Sequence, residues 1–444
     1  MKKIVWVFVS ALMATAAAQN PLVSPGIYMA DPAARYWNSD RMYLYCSVDE
    51  STRYYCSHHY HVLSSDDMKR WSLHENRFSS RGNGDEVSYN DKLLFAPDCM
   101  EKEGTYYLYY CQPDQHQAEG VAVGDHPAGP FRDGKLMDVG EYGEIDPGVF
   151  RDDDGQVYYV WGQFSLKMAR MNPDMQSIDL TSIRDDVLTE EEHFFHEGAY
   201  MTRREGLYYL VYADMSRGGT PTCLGYATSK DPMGPYTYRG VIIDNDHCDP
   251  AVWNNHGSIA SLNGQWYVFY HRSTHNSRKM RKPCAEPISF REDGTIPEVE
   301  MTTQGAGAPL NAFRLLDASR VCQMFGNVRI EKVGPSEEAL CKTHHNDRAV
   351  LRYVDFGDSA PDSVSIRVRS GSAGGSIVLR AGYPWKSPIA SLEIPAGRPQ
   401  TAGEWITLTS PVKKIVGVHA LWINFYSNTG NESFGCSLTS LQFR

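Results

Sequence analysis

Three short stretches place a carboxylate where a solvated charge is out of place. They are "MADPA" with Asp31, "EIDPG" with Asp146 and "FHEGA" with Glu197. In each, the acid is followed by Pro or Gly and sits beside apolar residues. A lone Asp-Pro is ordinarily a turn or a cap, and "DP" at 231–232 and 249–250 reads that way. Three acids in one repeated context read differently. Carboxylates converging on one cavity supply a general acid, a general base and a neighbour that tunes them.

The repeat supplies that convergence. "RMYLYCS", "TYYLYYC", "QVYYVWG", "LYYLVYA" and "QWYVFYH" align on Tyr43, Tyr107, Tyr159, Tyr209 and Tyr267, at spacings of 64, 52, 50 and 58 residues. Each run is β-rich and follows a turn such as "EKEG", "DDDG" or "RREG". Five all-β units over 28–300 predict a five-bladed β-propeller with four strands to a blade. Between 9 and 13 residues ahead of each tyrosine stands a polar group: Asp31, Asp98, Asp146, Glu197 or His256. First strands line a propeller's axis, so these five side chains are expected around one cavity. Asp98 in "FAPDCM" reads either as a strand-end cap or as a substrate contact.

The rest of the chain fixes the setting. It has 444 residues and a net charge of −11, with 27 Tyr and 9 Trp. That acidity excludes a nucleic-acid partner. Residues 1–18, with Lys2, Lys3, an apolar stretch and an Ala-rich end, predict a signal peptide and an exported protein, periplasmic or extracellular. No later stretch is apolar for long enough to insert in a membrane. Ten cysteines permit disulfides, with Cys46/Cys56 and Cys99/Cys111 as pairs flanking short hairpins; no spacing matches a zinc site. The expected organisation is a catalytic propeller over 19–302, a linker over 303–310 rich in Thr, Gly and Ala, and a jelly-roll-like β-sandwich over 311–444. Alternating strands such as "SVSIRVRS" support the sandwich. The long stretch 46–95 between the first two units reads as an insertion that closes the pocket. Nothing in the sequence sets the oligomeric state.

Six ordered motifs, "ADPAARYW", "FAPDCMEKEGTYYLYY", "IDPGVFRDDDGQVYYVWG", "HEGAYMTRREGLYYLVYA", "NNHGSIASLNGQWYVFYHR" and "REDGTIPEV", resemble glycoside hydrolase family 43. The tail, with "AVLRYVDFGD" and "GSIVLRAG", resembles a family 6 carbohydrate-binding module. The first resemblance implies Asp31 as general base, Glu197 as general acid and Asp146 as the carboxylate that tunes and orients the acid. It implies that His256 helps hold a central Ca²⁺ or other ion through water, that Arg281 contacts the sugar, and that no organic cofactor is needed. His271 is a further candidate substrate contact. Inverting hydrolysis needs the acid and base about 6.5–9.5 Å apart, leaving room for water. Trp37, Phe95, Trp161 and Trp253 are candidates for stacking on sugar or for packing between blades. Tyr353, Trp385, Trp422 and Tyr426 are the tail's equivalents, with Trp422 on a strand whose alternation leaves one face exposed.

The expected activity is exo-acting, inverting removal of terminal α-L-arabinofuranosyl units from a plant-type polysaccharide or oligosaccharide. The rivals are a β-D-xylosidase, β-D-galactofuranosidase, exo-galactanase or endo-arabinanase, a retaining fructan-acting enzyme, and a non-catalytic sugar-binding propeller. A tail that only binds sugar predicts that deleting 303–444 leaves turnover of a small aryl glycoside intact.

Overall fold

The computed structural model describes residues 19–37, 41–114, 118–141, 143–397, 403–430 and 434–444. The leader expected over 1–18 lies outside the described residues. Among them no helix is long and apolar enough to cross a membrane.

Five antiparallel sheets succeed one another along the chain. Blade one holds β1 (Met29–Trp37), β2 (Arg41–Val48), β3 (His59–Ser65) and β4 (Ser72–Ser79). Blade two holds β5 (Asp98–Lys102), β6 (Thr105–Cys111), β7 (Glu119–Gly124) and β8 (Arg132–Leu136). Blade three holds β9 (Gly148–Arg151), β10 (Val157–Trp161), β11 (Ser165–Arg170) and β12 (Arg184–Thr189). Blade four holds β13 (Phe195–Arg204), β14 (Leu207–Asp214), β15 (Cys223–Ser229) and β16 (Thr237–Asp244). Blade five has three strands where four were expected: β17 (Ser258–Leu262), β18 (Gln265–Thr274) and β19 (Ser277–Ile288).

The repeating tyrosines all fall on second strands, and the turns before them explain the repeat. Glu103-Gly104, Glu205-Gly206 and Asn263-Gly264 are two-residue loops with φ positive at both positions. They close the registers Lys102↔Thr105, Arg204↔Leu207 and Leu262↔Gln265. That is the hairpin turn whose twist matches its strands, and it favours Gly second. Blade one packs against blade five, where Ala34 N–H donates to Ser258 Oγ at 2.9 Å. The chain start runs along β19, with Leu22 N–H on the Pro283 carbonyl at 2.8 Å.

Much of the expected insertion 46–95 is β3 and β4, the outer half of blade one. Neither expected disulfide forms: all ten cysteines are free and buried.

The second domain stacks two six-stranded sheets. Strand Ser363–Arg369 alternates with Val364, Ile366 and Val368 buried, the pattern of a one-faced sheet. Its core includes Leu351, Phe356, Leu379, Phe425, Leu441 and Phe443. A further cluster joins the domains: Cys248, Ile296 and Met301 of the propeller side pack with Cys322, Val350 and Trp422. Trp422 is therefore buried, its indole N–H on the Gly382 carbonyl, and shows no open face to solvent. Tyr353 also faces the propeller side, donating to Glu300.

Candidate active site

Two of the acids, Asp31 and Glu197, interrupt the strands that carry them, and the third, Asp146, stands just before one. Asp31 (φ 56°) sits in a register shift of β1 between Ala30 and Ala33. Asp146 (φ 65°) stands two residues before β9, and the pairing of β13 shifts on both sides of Glu197. Left-handed backbone at a non-glycine residue is strained and concentrates at functional sites. The Pro or Gly after each acid breaks the ladder and lets the side chain leave the sheet. Gly198 (φ 70°) follows Glu197 and lies flat on the His256 ring, where any Cβ would come within 2.9 Å.

These breaks bring Asp31, Asp146, Glu197 and His256 to one cavity of about 570 Å³. The three acids are 5, 6 and 8% exposed. Arg281 Nη1 donates to Asp31 Oδ1 at 2.8 Å, and Ser47 Oγ donates to the other oxygen at 2.6 Å. His256 Nδ1 lies 3.6 Å from Asp31 and 3.8 Å from Asp146. Burial alone would raise the Asp31 carboxyl, but Arg281, with His256, His271 and Ser47, outweighs it and holds the group at about 2. Arg281 also acts on Asp146, but there it is outweighed. Burial first, then the charges of Glu197 and Asp31, push it well above the usual carboxylate range. Glu197 is held by two amides: Gln163 Nε2 on Oε2 at 2.7 Å and Asn254 Nδ2 on Oε1 at 3.1 Å.

The remaining candidates divide. Phe95, Trp253 and Arg281 line the cavity. Asp98 does not: it is 1% exposed, paired with Arg35, and accepts Val149 N–H at 2.9 Å, pinning three blades together. His271, fully buried, accepts the Asp31 backbone N–H at 3.3 Å and so braces the acid from behind, out of reach of substrate. Trp37, partly buried, packs edge-on against Tyr106 at the margin of the core, and Trp161 is wholly buried beside Tyr159; neither lines the cavity. Arg281 is bound to acids on both sides, forked onto Asp49 through Nε and Nη2 at 2.8 and 2.9 Å.

Sequence reading passed over Tyr55, Cys56, Gln163, Phe164, His196, Asn254 and Arg278, which also line the cavity. Asn254 is the first residue of the quoted motif "NNHGSIASLNGQWYVFYHR", and Gln163 and Phe164 follow "VYYVWG" directly, so motif proximity was a usable signal. Tyr55 sits in a loop, and Arg278 near the start of β19, with no repeat to mark either of them.

For a cation, Ca²⁺ takes about 6–8 oxygen ligands. Among the described residues no group of three or more His, Cys, Asp or Glu is arranged to hold a metal ion. The carboxylate oxygens nearest His256 belong to Asp31, already held by Arg281, and Asp146. A Ca²⁺ beside His256 would take most of its shell from water.

An apolar wall of Phe95, Phe164 and Trp253 facing buried carboxylates, at the centre of a five-bladed propeller, is the site of a carbohydrate-cleaving enzyme. The chain belongs to glycosyl hydrolases family 43, whose sequence profile matches residues 18–296, and the carbohydrate binding module of family 6 matches 317–443. It is 28% identical to a xylosidase/arabinosidase of Thermoclostridium stercorarium, over 93% of this chain and 97% of that one. It is 27% identical to an arabinoxylan arabinofuranohydrolase of Bacillus subtilis (strain 168), over 93% and 90%. A family 43 beta-xylosidase/alpha-arabinofuranosidase from a compost microbial metagenome, solved with xylotriose in a calcium-free form, superposes with a TM-score of 0.54 at 27% identity, covering 65% of this chain and 99% of that one.

Proposed function

We propose that the chain is an exported, exo-acting, inverting glycosidase that removes terminal α-L-arabinofuranosyl units from plant-type polysaccharide or oligosaccharide. The observation that carries this reading is the unequal treatment of three neighbouring acids. Asp31 is held ionised by a guanidinium, while burial and the charges of Glu197 and Asp31 push Asp146 well above the usual carboxylate range. Coupled carboxyls of this kind hold one proton between them.

Asp31 on blade one takes a proton from a water whose oxygen attacks the anomeric carbon. Glu197 on blade four gives its proton to the departing glycosidic oxygen as that bond breaks. Asp146 is the third carboxyl of the group beside Glu197, and Gln163 and Asn254 keep Glu197 pointed at the leaving oxygen. Phe95 and Trp253 offer ring faces to the sugar. His256, lying between Asp31 and Asp146, is the residue beside which a Ca²⁺ would sit, its charge supporting Asp31 as an anion; no step depends on it. The names of the relatives support arabinofuranose or xylose as the sugar, and the residues before Asn20 support export.

Hydrolysis of aryl α-L-arabinofuranoside, β-D-xyloside, β-D-galactofuranoside and β-D-galactoside tests the sugar. Fastest turnover of the arabinofuranoside is expected. Fastest turnover of the xyloside would make the chain a β-D-xylosidase on the same machinery. Cleavage of none, with binding of polysaccharide retained, would point to a non-catalytic sugar-binding propeller.

A further inference from the structure

Arg281 and Lys282 are consecutive on β19, and strand alternation sends their side chains to opposite faces. Arg281 turns inward to Asp31 and Asp49. Lys282 turns outward to the second domain, where its Nζ meets Glu338 Oε2 at 2.5 Å. Glu338 lies on strand Glu337–Cys341, and the two side chains are 4 and 1% exposed. The other oxygen of Glu338 accepts the Tyr28 hydroxyl at 2.7 Å and the Gly26 N–H at 3.3 Å. The Tyr28 carbonyl in turn accepts the Asp49 N–H at 3.1 Å. One carboxylate of the second domain thus grips both ends of the mount that holds Asp31: the residue next to Arg281, and the segment that seats Asp49.

A buried ion pair is weak evidence for stability, because desolvation offsets its attraction. Spanning two domains, this pair fixes a position. Without Glu338 the Lys282 ammonium would be stranded. Burial already draws its pKa down, and Glu338 opposes that. β19 would then relax toward water, carrying Arg281 with it.

We propose that Glu338 is a positioning residue for catalysis: through Lys282 and Tyr28 it sets Arg281 and Asp49, and with them the aim of Asp31. The second domain is then part of the catalytic unit as well as a carbohydrate-binding-module relative. The proposal rests on Asp31 being the general base.

Glu338→Gln in the full chain, assayed on the aryl glycoside that the wild type cleaves, is the test. The expected result is a kcat lowered by about tenfold or more with KM within about twofold, since small displacements of a reacting group are costly even when their cause is remote. Glu338→Asp, which keeps the charge, should recover part of the loss. Wild-type kcat in Glu338→Gln, whatever happens to its melting temperature, would overturn the proposal. If that variant does not fold, the paired change Lys282→Met with Glu338→Leu removes both charges together, and there too wild-type kcat overturns it. Asp31→Asn run alongside separates the two readings: full activity in that variant sinks the base assignment, whatever Glu338→Gln does.

Discussion

Arg281 and Asp31 meet at 2.8 Å with both side chains nearly closed to solvent, and the same guanidinium is forked onto Asp49. One cation thus serves two buried acids. Asp31 also faces His256 and His271 and is held near 2, whereas burial raises Asp49 in spite of Arg281. The same guanidinium thus leaves its two acids shifted in opposite directions.

Arg281→Met strands both acids. Losing one partner of a buried pair costs about 3–5 kcal/mol, readable by urea unfolding. For Asp31 the sign is clear. A folded pKa near 2 against 3.8 contributes stability above pH 3.8 that is lost as pH falls toward 2. In Arg281→Met that contribution disappears, and the acid limb of kcat/KM moves up toward neutral pH.

Asp146→Asn removes the third carboxyl of the buried group that holds the site's proton. The alkaline limb of the pH–rate profile should therefore move to lower pH, with kcat at pH 7 reduced by about 10²-fold or more. An unchanged alkaline limb would separate Asp146 from the acid.

Gln163→Ala takes one of two amide donors from Glu197. A hydrogen bond to the neutral acid is worth about 0.5–1.5 kcal/mol, so kcat/KM should fall about 2- to 10-fold while the melting temperature barely moves. Steady-state kinetics beside a thermal melt checks both halves.

Glu119 stands outside the catalytic group. Its Oε2 accepts the Tyr159 hydroxyl, its Oε1 is buried without a partner, and burial raises it to about 8. A raised folded pKa means stability that is full below 4.5 and lost as pH climbs toward 8. Glu119→Gln should flatten that decline, seen as a smaller change in unfolding free energy between pH 5 and pH 8 (on the order of 3–4 kcal/mol in the wild type).

The propeller was legible because its turns are. Two-residue loops ending in Gly, recurring ahead of a tyrosine, left a mark that survives divergence of everything between them. The acids were legible because Pro or Gly after a carboxylate is what a broken ladder requires. Side chains that only burial distinguishes were not. Trp161 and Phe164 lie three residues apart, yet the first is wholly buried and the second 55% exposed at the cavity. Asp98 and Asp146 occupy the same repeat position, and only Asp98 has an arginine to pair with. Trp422 alternates as a surface residue would, because the strand pattern does not record that a second domain covers its face.

That covering face bears on deletion. Removing 303–444 would uncover Ile296 and Met301 and leave Lys282 without Glu338. The truncated chain should fail to give a soluble, cooperatively melting propeller, measured by yield and circular dichroism, in contrast to the expectation for a detachable sugar-binding tail.

The most direct measurement is kcat of Asp31→Ala and Glu197→Ala on the wild type's best aryl glycoside, with thermal melts in parallel. Each variant should lose about 10²- to 10⁴-fold or more while melting as one cooperative unit. Wild-type turnover in either would contradict the assignment of base and acid to these two residues.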